Sequence, residues 1–154
     1  MNIDFEKIKI IPAEKKNKTH KKGVWKVFNE NLEFRLIASE PVSYIQHCKW
    51  WEAAFEKEYI YLILYELSIV GYIRLSKLRT KSKEINEISI ALARKYHNSG
   101  IGSYSYKIFE KKMKEFGIKK IVALTDYKNK LAQNFFEKNK FEKKHIRFLK
   151  ELEN

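Results

Sequence analysis

The sequence has little of several residue types, and each shortage excludes a class of protein. Its single cysteine, Cys48, cannot form an internal disulfide, and no cysteine–histidine cluster has the spacing of a zinc site. Five glycines and two prolines argue against a solenoid, a collagen-like tract or a long flexible linker. No apolar run approaches the ~20 residues of a membrane span, and the first residues lack the apolar core of a signal peptide. We therefore expect one domain over residues 1–154, in a reduced cytoplasmic compartment, with no metal and no membrane partner.

Apolar residues and positive charge are plentiful. Apolar residues make up 44% of the chain, with ten phenylalanines, nine tyrosines and three tryptophans, which suffices for one packed core. The 32 lysines and arginines exceed the 19 acidic residues and leave a net charge of +13, a field that attracts anionic ligands. Because the excess consists mostly of lysines spread along helices, the pattern of solvated faces, we do not expect a nucleic-acid partner.

The spacing of apolar residues predicts a mixed α/β order. In chain order it comprises a strand at 5–12, a lysine-rich loop at 14–22, a short helix at 24–32, a helix at 44–57 capped by Ser43, strands at 59–65, 69–78 and 84–92, a helix from about 101 to 116, a strand at 121–125, a helix at 129–139, and strands at 141 and 145–152. The apolar stripes place Ile45, Trp51 and Phe116 inward on their helices. The strand–helix–strand unit from 84 to 125 should form a right-handed parallel crossover.

A bend with two glycines joins strand 84–92 to its helix and carries the most specific chemistry. Without side chains at Gly100 and Gly102, a ligand phosphate can approach the backbone, where the free N–H groups of the first helical turn favour an anion. Seven residues separate the strand from the first glycine, and position 105 is serine, which does not fit a dinucleotide-binding fold. The Gly-Lys-Ser/Thr of a P-loop is also absent.

The bend resembles a family motif. His97-Asn98-Ser99-Gly100-Ile101-Gly102 is similar to the Arg/Gln-x-x-Gly-x-Gly/Ala of the GNAT acetyltransferases, with His97 at the position of Arg or Gln. Asn129, Ala132, Phe136 and Phe141 resemble the family's second motif, Asn-x-x-Ala-x-x-x-Tyr-x-x-x-Gly-Phe. The resemblance covers about residues 84–141. It implies an α/β GNAT fold, a mixed and largely antiparallel sheet with helices on both faces, splayed between strands 4 and 5.

The resemblance also implies acetyl-CoA as the co-substrate, bound in that split. The residues it assigns to cofactor binding are Ile90, Ala91, Leu92, His97, Asn98, Ser99, Gly100, Ile101, Gly102, Ser103, Asn129 and Phe136. The bend would hold the pyrophosphate, and the strand edge would pair with the pantetheine. Asn129 would bond the pantetheine arm or cap its helix, and both roles can hold together.

For catalysis, the resemblance points to Glu87, on the polar face of its strand, as the base that deprotonates the ammonium of the acceptor. A surface ion pair is the alternative interpretation. Phe136 stands where many relatives have a tyrosine that protonates the departing thiolate, and phenylalanine cannot donate a proton. Another group then does so, with Tyr104, Tyr127 and His47 as candidates, or the thiolate leaves unassisted, or the chain binds acyl-CoA without turnover.

The amino-terminal half bears on the acceptor. Several short, separated sequence motifs resemble those of acetyltransferases that act on nucleotide-linked amino sugars, nearest to the pseudaminic-acid-pathway type. These motifs lie around Asn29, Pro41-Val42-Ser43, His47, Trp50-Trp51 and Gly71–Arg74. The resemblance implies a small amine acceptor such as a nucleotide sugar, contacted by Asn29, His47, Trp50 and Arg74. A protein N-terminus, a polyamine and an aminoglycoside stay open as acceptors, and so does a homodimer.

Overall fold

The computed structural model describes residues 1–34, 40–79, 84–144, 148 and 150. The regular elements are β1 (Ile8–Pro12), α1 (Lys18–Glu30), α2 (Tyr44–Ala54), β2 (Glu58–Tyr65), β3 (Ser68–Arg79), β4 (Glu84–Leu92), α3 (Ile101–Glu115) and α4 (Lys130–Lys138). Single turns of 3-10 helix lie at Phe5–Lys7, Leu32–Phe34 and Arg94–Tyr96.

The four strands form one antiparallel sheet in the order β1-β2-β3-β4. The tight turn between β2 and β3 holds Glu66 and Leu67 at φ values of 49° and 67°, the pair of positive angles that a two-residue hairpin of this twist requires. The pairing of β3 with β4 runs from Gly71 opposite Leu92 to Arg79 opposite Glu84. Side chains at Tyr72, Arg74 and Ser76 therefore share one face with those of Ala91, Ser89 and Glu87.

The predicted fifth strand is reduced to one parallel bridge. Val122 accepts the Ile88 N–H at 2.9 Å and donates its own N–H to the Asn86 oxygen at 2.8 Å. Beyond that point, the described residues show no further pairing between β4 and residues 123–125. The two segments diverge there, as the splayed sheet requires. The predicted parallel orientation is confirmed, while the predicted length of the strand is wrong.

Helices cover both faces of the sheet. On one face α3 buries Ile101, Phe109 and Met113 against Ile63, Ile73, Leu75 and Ile88, with α4 packed against their edge. On the other face α1 and α2 bury Val24, Val27 and Trp51 against Leu62 and Tyr72. The expected α/β architecture is confirmed.

Several boundaries differ from the predictions. α1 begins at Lys18 inside the predicted loop, because Asn17 caps it by accepting the N–H groups of Thr19 and His20, and its lysines stay solvated. Ile45 is 72% exposed and Phe116 is 55% exposed, so both inward predictions are wrong. Phe116 stacks on Tyr59 of β2, with ring centroids 5.6 Å apart. Residues 141–144 do not form a strand, and most of the predicted strand at 145–152 lies outside the described residues.

Candidate active site

A cleft of about 540 Å³ opens where β4 and residues 123–125 diverge. Five parts of the chain line it: β3, β4 with the following bend, the end of α1 with the turn after it, residues 124–125, and α4 with the residue that caps it. The lining residues that carry the argument below are Phe28, Asn31, Phe34, Arg74, Glu87, Ile90, Asn98, Gly100, Gly102, Asn129 and Phe136.

One wall of the cleft is the open edge of β4. Since the bridge to Val122 uses the Asn86 oxygen and the Ile88 N–H, alternation along the strand turns the main-chain groups of Ile90 and Leu92 to the same edge. The N–H groups of Ile90 and Leu92 and the oxygen of Ile90 have no protein partner within the described ranges. They form a short row of groups that an amide-bearing ligand can pair with.

The bend after β4, residues 97–103, is called here the glycine bend. Asn98 and Gly100 adopt positive φ values of 57° and 88°, and the N–H groups of Asn98, Gly100, Gly102 and Ser103 have no protein partner in the described part of the chain. A Cβ at Gly102 would lie 3.3 Å from the Phe135 ring. Unpaired N–H groups at the start of a 15-residue helix can donate hydrogen bonds to an anion.

Side chains from outside the glycine bend fix its position. His97 and Asn31 both bond the Leu92 carbonyl oxygen, from Nε2 at 3.0 Å and Nδ2 at 2.9 Å. Arg94 donates from Nε to the Glu30 oxygen at 2.8 Å and pairs with Glu33 at 2.8 Å. The end of α1 is thereby tied to the start of the bend.

Glu87 brings a carboxylate to the cleft. It lies on β4 opposite Ser76, on the face shared with Arg74 and Ser89, and is half-buried. Its carboxylate makes no hydrogen bond or ion pair with any residue that the structure describes. It is also the only acidic side chain among the described lining residues. A carboxylate without a partner at this place can accept a proton from a ligand.

A second pocket, of about 280 Å³, adjoins the cleft through Phe28 and Arg74. We call it the side pocket; its lining is Phe28, Val42, His47, Trp50 and Arg74. The Arg74 guanidinium lies 5.3 Å from the centre of the Trp50 ring and donates from Nη1 to Glu58 at 3.1 and 3.2 Å. Its Nε and Nη2 groups have no protein partner in the described part of the chain, so they can donate to a ligand.

His47 forms the floor of the side pocket and is 2% exposed. Its Nε2 lies 2.9 Å from the Lys21 oxygen, which fixes that nitrogen as the donor. Burial lowers the pKa of His47, since desolvation opposes the charged ring. The neutral ring leaves Nδ1 as an acceptor.

A model of the GNAT acetyltransferase family matches residues 24–141, well over half of the chain. The chain belongs to the GNAT acetyltransferase family. This membership confirms the predicted family and the predicted enzyme class, in which acetyl-CoA is the source of the acetyl group. No curated protein matches the sequence significantly.

Solved structures agree with the fold. An N-acetyltransferase from Staphylococcus aureus Mu50 superposes with a TM-score of 0.74 at 18% identity, covering 88% of this chain and 83% of that one. The yncA protein of Salmonella typhimurium, solved with its cofactor acetyl-CoA, gives a TM-score of 0.73 at 14% identity, covering 88% and 80%. An aminoglycoside acetyltransferase from an uncultured soil metagenomic sample, in complex with sisomicin, gives 0.70 at 17% identity, covering 96% and 98%.

The cleft of this GNAT chain fits the chemistry of coenzyme A. A diphosphate needs several donors, and the unpaired N–H groups of the glycine bend provide them. An amide-bearing arm needs a strand edge, and Ile90 and Leu92 provide it. The main-chain groups of Ala91 turn toward β3 instead, so only its side chain faces the cleft. Ile101 is fully buried and donates its N–H to Ser99 Oγ at 3.3 Å, so it does not line the cleft.

Most of the remaining residues that the sequence predicts to bind a ligand line the cleft, but one of them does not. Ser99, Ser103, His97 and Phe136 line the cleft. Asn129 lines it too and caps α4, and its Nδ2 donates to the Phe34 oxygen at 3.0 Å. Asn29 does not line either pocket, because its amide accepts from and donates to Val42 at 3.0 and 2.9 Å.

None of the three candidate acids for the thiolate lines the cleft. Tyr104 packs on Phe5, Tyr127 is 74% exposed, and neither lines the cleft. His47 lies in the side pocket rather than in the cleft. Tyr72 and Tyr96 are the tyrosines in the described lining.

Sequence reasoning missed the contribution of the end of α1. Phe28, Asn31 and Phe34 recur every three residues and line the cleft together. This helical spacing was visible in the sequence and could have identified them. Lys138 at the end of α4 also lines the cleft and was missed, because it is distant from the glycine bend in the sequence.

Proposed function

We propose that this GNAT chain is an N-acetyltransferase whose acceptor is the primary amine of an amino sugar carried on a nucleotide. The observation that supports it is one juxtaposition. The open β4 edge and the Glu87 carboxylate, which has no partner among the described residues, lie in the cleft, and the aromatic, cationic side pocket adjoins it through Phe28 and Arg74.

The reaction requires proton removal before bond formation. The acceptor arrives as an ammonium, and Glu87 accepts one proton so that the amine can attack the thioester carbonyl directly. Acetyl-CoA supplies an activated acyl group and a thiolate leaving group. The Ile90 N–H, on the open edge, is placed to donate to the carbonyl oxygen as charge develops there.

Departure of the thiolate proceeds without an acid from α4. Phe136 packs against Phe135 and Phe141 in an apolar cluster and has no proton to donate. A free thiol in water has a pKa of about 8.5, so its anion leaves far more readily than an alkoxide. Phe136 therefore shapes the cleft, and turnover does not depend on it as an acid.

The side pocket supports an acceptor that is both flat and anionic. Trp50 offers a half-buried aromatic face, and Arg74 offers unused donors beside it. The net charge of +13 attracts a diphosphate. A polycationic acceptor, such as an aminoglycoside or a polyamine, would find Glu87 as the only carboxylate among the described lining residues of either pocket.

The test is thiol release from acetyl-CoA with a panel of acceptors. The panel contains UDP-linked amino sugars, the free amino sugars, sisomicin, spermidine and a peptide with a free N-terminus. We expect the highest kcat/KM for a nucleotide-linked amino sugar. Preference for sisomicin or spermidine would contradict the acceptor assignment. A thermal shift with acetyl-CoA but no thiol release with any amine would indicate a non-catalytic acyl-CoA-binding protein.

Glu87→Gln tests the base separately. We expect kcat to fall by about 100-fold or more, with coenzyme A affinity unchanged, since the amide cannot accept the proton. Ser76→Ala, at the paired position on β3, is the matched control and should keep its activity. Full activity of the Gln variant with an unshifted pH profile would show that Glu87 is not the base.

A further inference from the structure

One hydrogen bond crosses the cleft and is not used by the proposed chemistry. Asn129, at the start of α4, donates from Nδ2 to the main-chain oxygen of Phe34 at 3.0 Å. α4 packs at one face of the sheet, whereas Phe34 follows α1, which packs on the other face. The Oδ1 atom of Asn129 accepts the Ala132 N–H at 3.0 Å. Both polar atoms of this side chain are therefore engaged within the protein.

The bond anchors the main chain of a residue whose ring lines the cleft. The ring lines the cleft, with its centroid 5.5 Å from that of His97 at an interplanar angle of 66°. The Phe34 N–H donates to the Asn31 oxygen at 3.1 Å, and Asn31 in turn bonds Leu92 at the end of the open β4 edge. Phe34 is thus held from α1 on one side and from α4 on the other, beside His97 at the start of the glycine bend.

We propose that Asn129 is a positioning residue that acts through Phe34. Its amide holds the Phe34 ring as the apolar wall of the groove for the arm of coenzyme A. Such a wall keeps water from the row of Ile90 and Leu92 groups, and a hydrogen bond is stronger where water is excluded. The inference needs coenzyme A only, so it does not depend on which amine is the acceptor.

This role differs from a direct bond between Asn129 and the ligand, and the two can be separated. If Asn129 acts through the Phe34 ring, removing its amide should change coenzyme A affinity little in a variant that already lacks the ring. If Asn129 bonds the ligand itself, removing its amide should lower coenzyme A affinity by the same factor whether or not the Phe34 ring is present. A double-mutant cycle measures that difference.

The substitutions are Asn129→Ser, Phe34→Ala and the double variant, tested by titration calorimetry with coenzyme A. Serine keeps a neutral side chain that caps α4 nearly as well as asparagine, but it is too short to reach Phe34 as well. We expect Asn129→Ser to weaken coenzyme A binding by about fivefold, the worth of one ordinary hydrogen bond. The double variant should bind no more weakly than Phe34→Ala alone. A double variant whose loss is the product of the two single losses overturns the proposal.

Hydrogen exchange of the ligand-free protein gives a second readout that needs no binding. Asn129→Ser should speed exchange of the amides at residues 32–34, because the turn loses its anchor. Asn17→Ser makes the same change at the cap of α1, where the side-chain amide reaches only Glu14 at 3.5 Å, and should leave those amides unchanged. Unchanged exchange at residues 32–34 in Asn129→Ser would show that the bond does not position Phe34.

Discussion

The two sides of the cleft are built from different chemical groups. The side that we propose for the cofactor consists mainly of main-chain atoms: the open edge at Ile90 and Leu92 and the N–H groups of the glycine bend that have no partner among the described residues. The side that we propose for the acceptor consists of side chains, among them Trp50 and Arg74. Every residue except proline carries a main-chain N–H, so the cofactor side needs only a bend that glycine permits and a strand edge left open. The acceptor side depends on which side chains are present, and it can change specificity without loss of the cofactor site.

The largest effect expected from this contrast concerns Gly100. Its φ of 88° favours glycine, and a Cβ there would lie 3.2 Å from the Phe5 ring. Gly100→Ala should rotate the N–H groups of the bend away from the diphosphate, and each such bond to a charged group is worth about 1.5–3 kcal/mol. We expect coenzyme A affinity to fall by about 10- to 100-fold, measured by titration calorimetry.

Gly117 offers a matched control for the strain itself. It ends α3 with a φ of 78°, and a Cβ there would meet nothing within 4 Å. Gly117→Ala should lose about 1–2 kcal/mol of folding stability without any change in coenzyme A affinity. Equal affinities in the two alanine variants would show that the glycine bend does not hold the diphosphate.

A smaller effect is expected on the acceptor side. Arg74→Met should lower kcat/KM for an anionic acceptor by about tenfold, since one hydrogen bond to a charged group is lost, and it should leave coenzyme A affinity unchanged. The free amino sugar should be affected less than its nucleotide-linked form. Steady-state kinetics with both acceptors measures this ratio.

The ion pair between Arg74 and Glu58 affects how Arg74→Met is interpreted, and a second substitution at Glu58 provides the control. The Glu58 side chain is only 12% exposed and pairs with Arg74 at 3.1 Å, so the single variant leaves a carboxylate partly buried without a partner. Arg74→Met with Glu58→Gln removes that charge and should recover stability but not acceptor selectivity. Recovery of selectivity in the double variant would show that Arg74 acts only by neutralising Glu58.

The same contrast explains what the sequence could predict. Gly100 and Gly102 at a fixed distance from a strand predict the proposed anion site directly, because the constraint acts on the backbone. The alternation in β4 placed Glu87 correctly on the polar face. The splay of the sheet came from the family resemblance, and nothing in the apolar run at 121–125 showed that only Val122 would pair with β4.

The side chains on the acceptor side could not be predicted from the sequence, because their positions depend on how α1 and α2 are rotated against the sheet. Periodicity placed Ile45 inward, yet the helix turns Ile45 outward and buries His47, whose Nε2 meets the Lys21 oxygen of α1. Asn29 is predicted to contact the substrate, but its side-chain amide is hydrogen-bonded to the main chain of Val42, in the segment before α2. Both differences arise from contacts between elements distant in sequence, which no local pattern records.

The smallest predicted effect is the contribution of His47 to the pH dependence of the free energy of unfolding. Burial holds the pKa of His47 below its ordinary value of about 6.5, so below about pH 6.5 the unfolded chain binds a proton that the folded chain does not. The free energy of unfolding should therefore decrease as the pH falls below about 6.5, by at most about 1.4 kcal/mol per pH unit from this residue. Urea unfolding at about pH 7.5 and about pH 5.5 measures the change.

His47→Gln separates this contribution from that of the carboxylates. Its amide can still donate to the Lys21 oxygen, but it does not titrate, so the variant should lose less stability than the native chain over the same pH interval. An identical loss in both proteins would mean that His47 takes up a proton in the folded state as readily as in the unfolded one. In that case its Nδ1 would be a donor below that pH, and the side pocket would present two cationic groups to the acceptor instead of one.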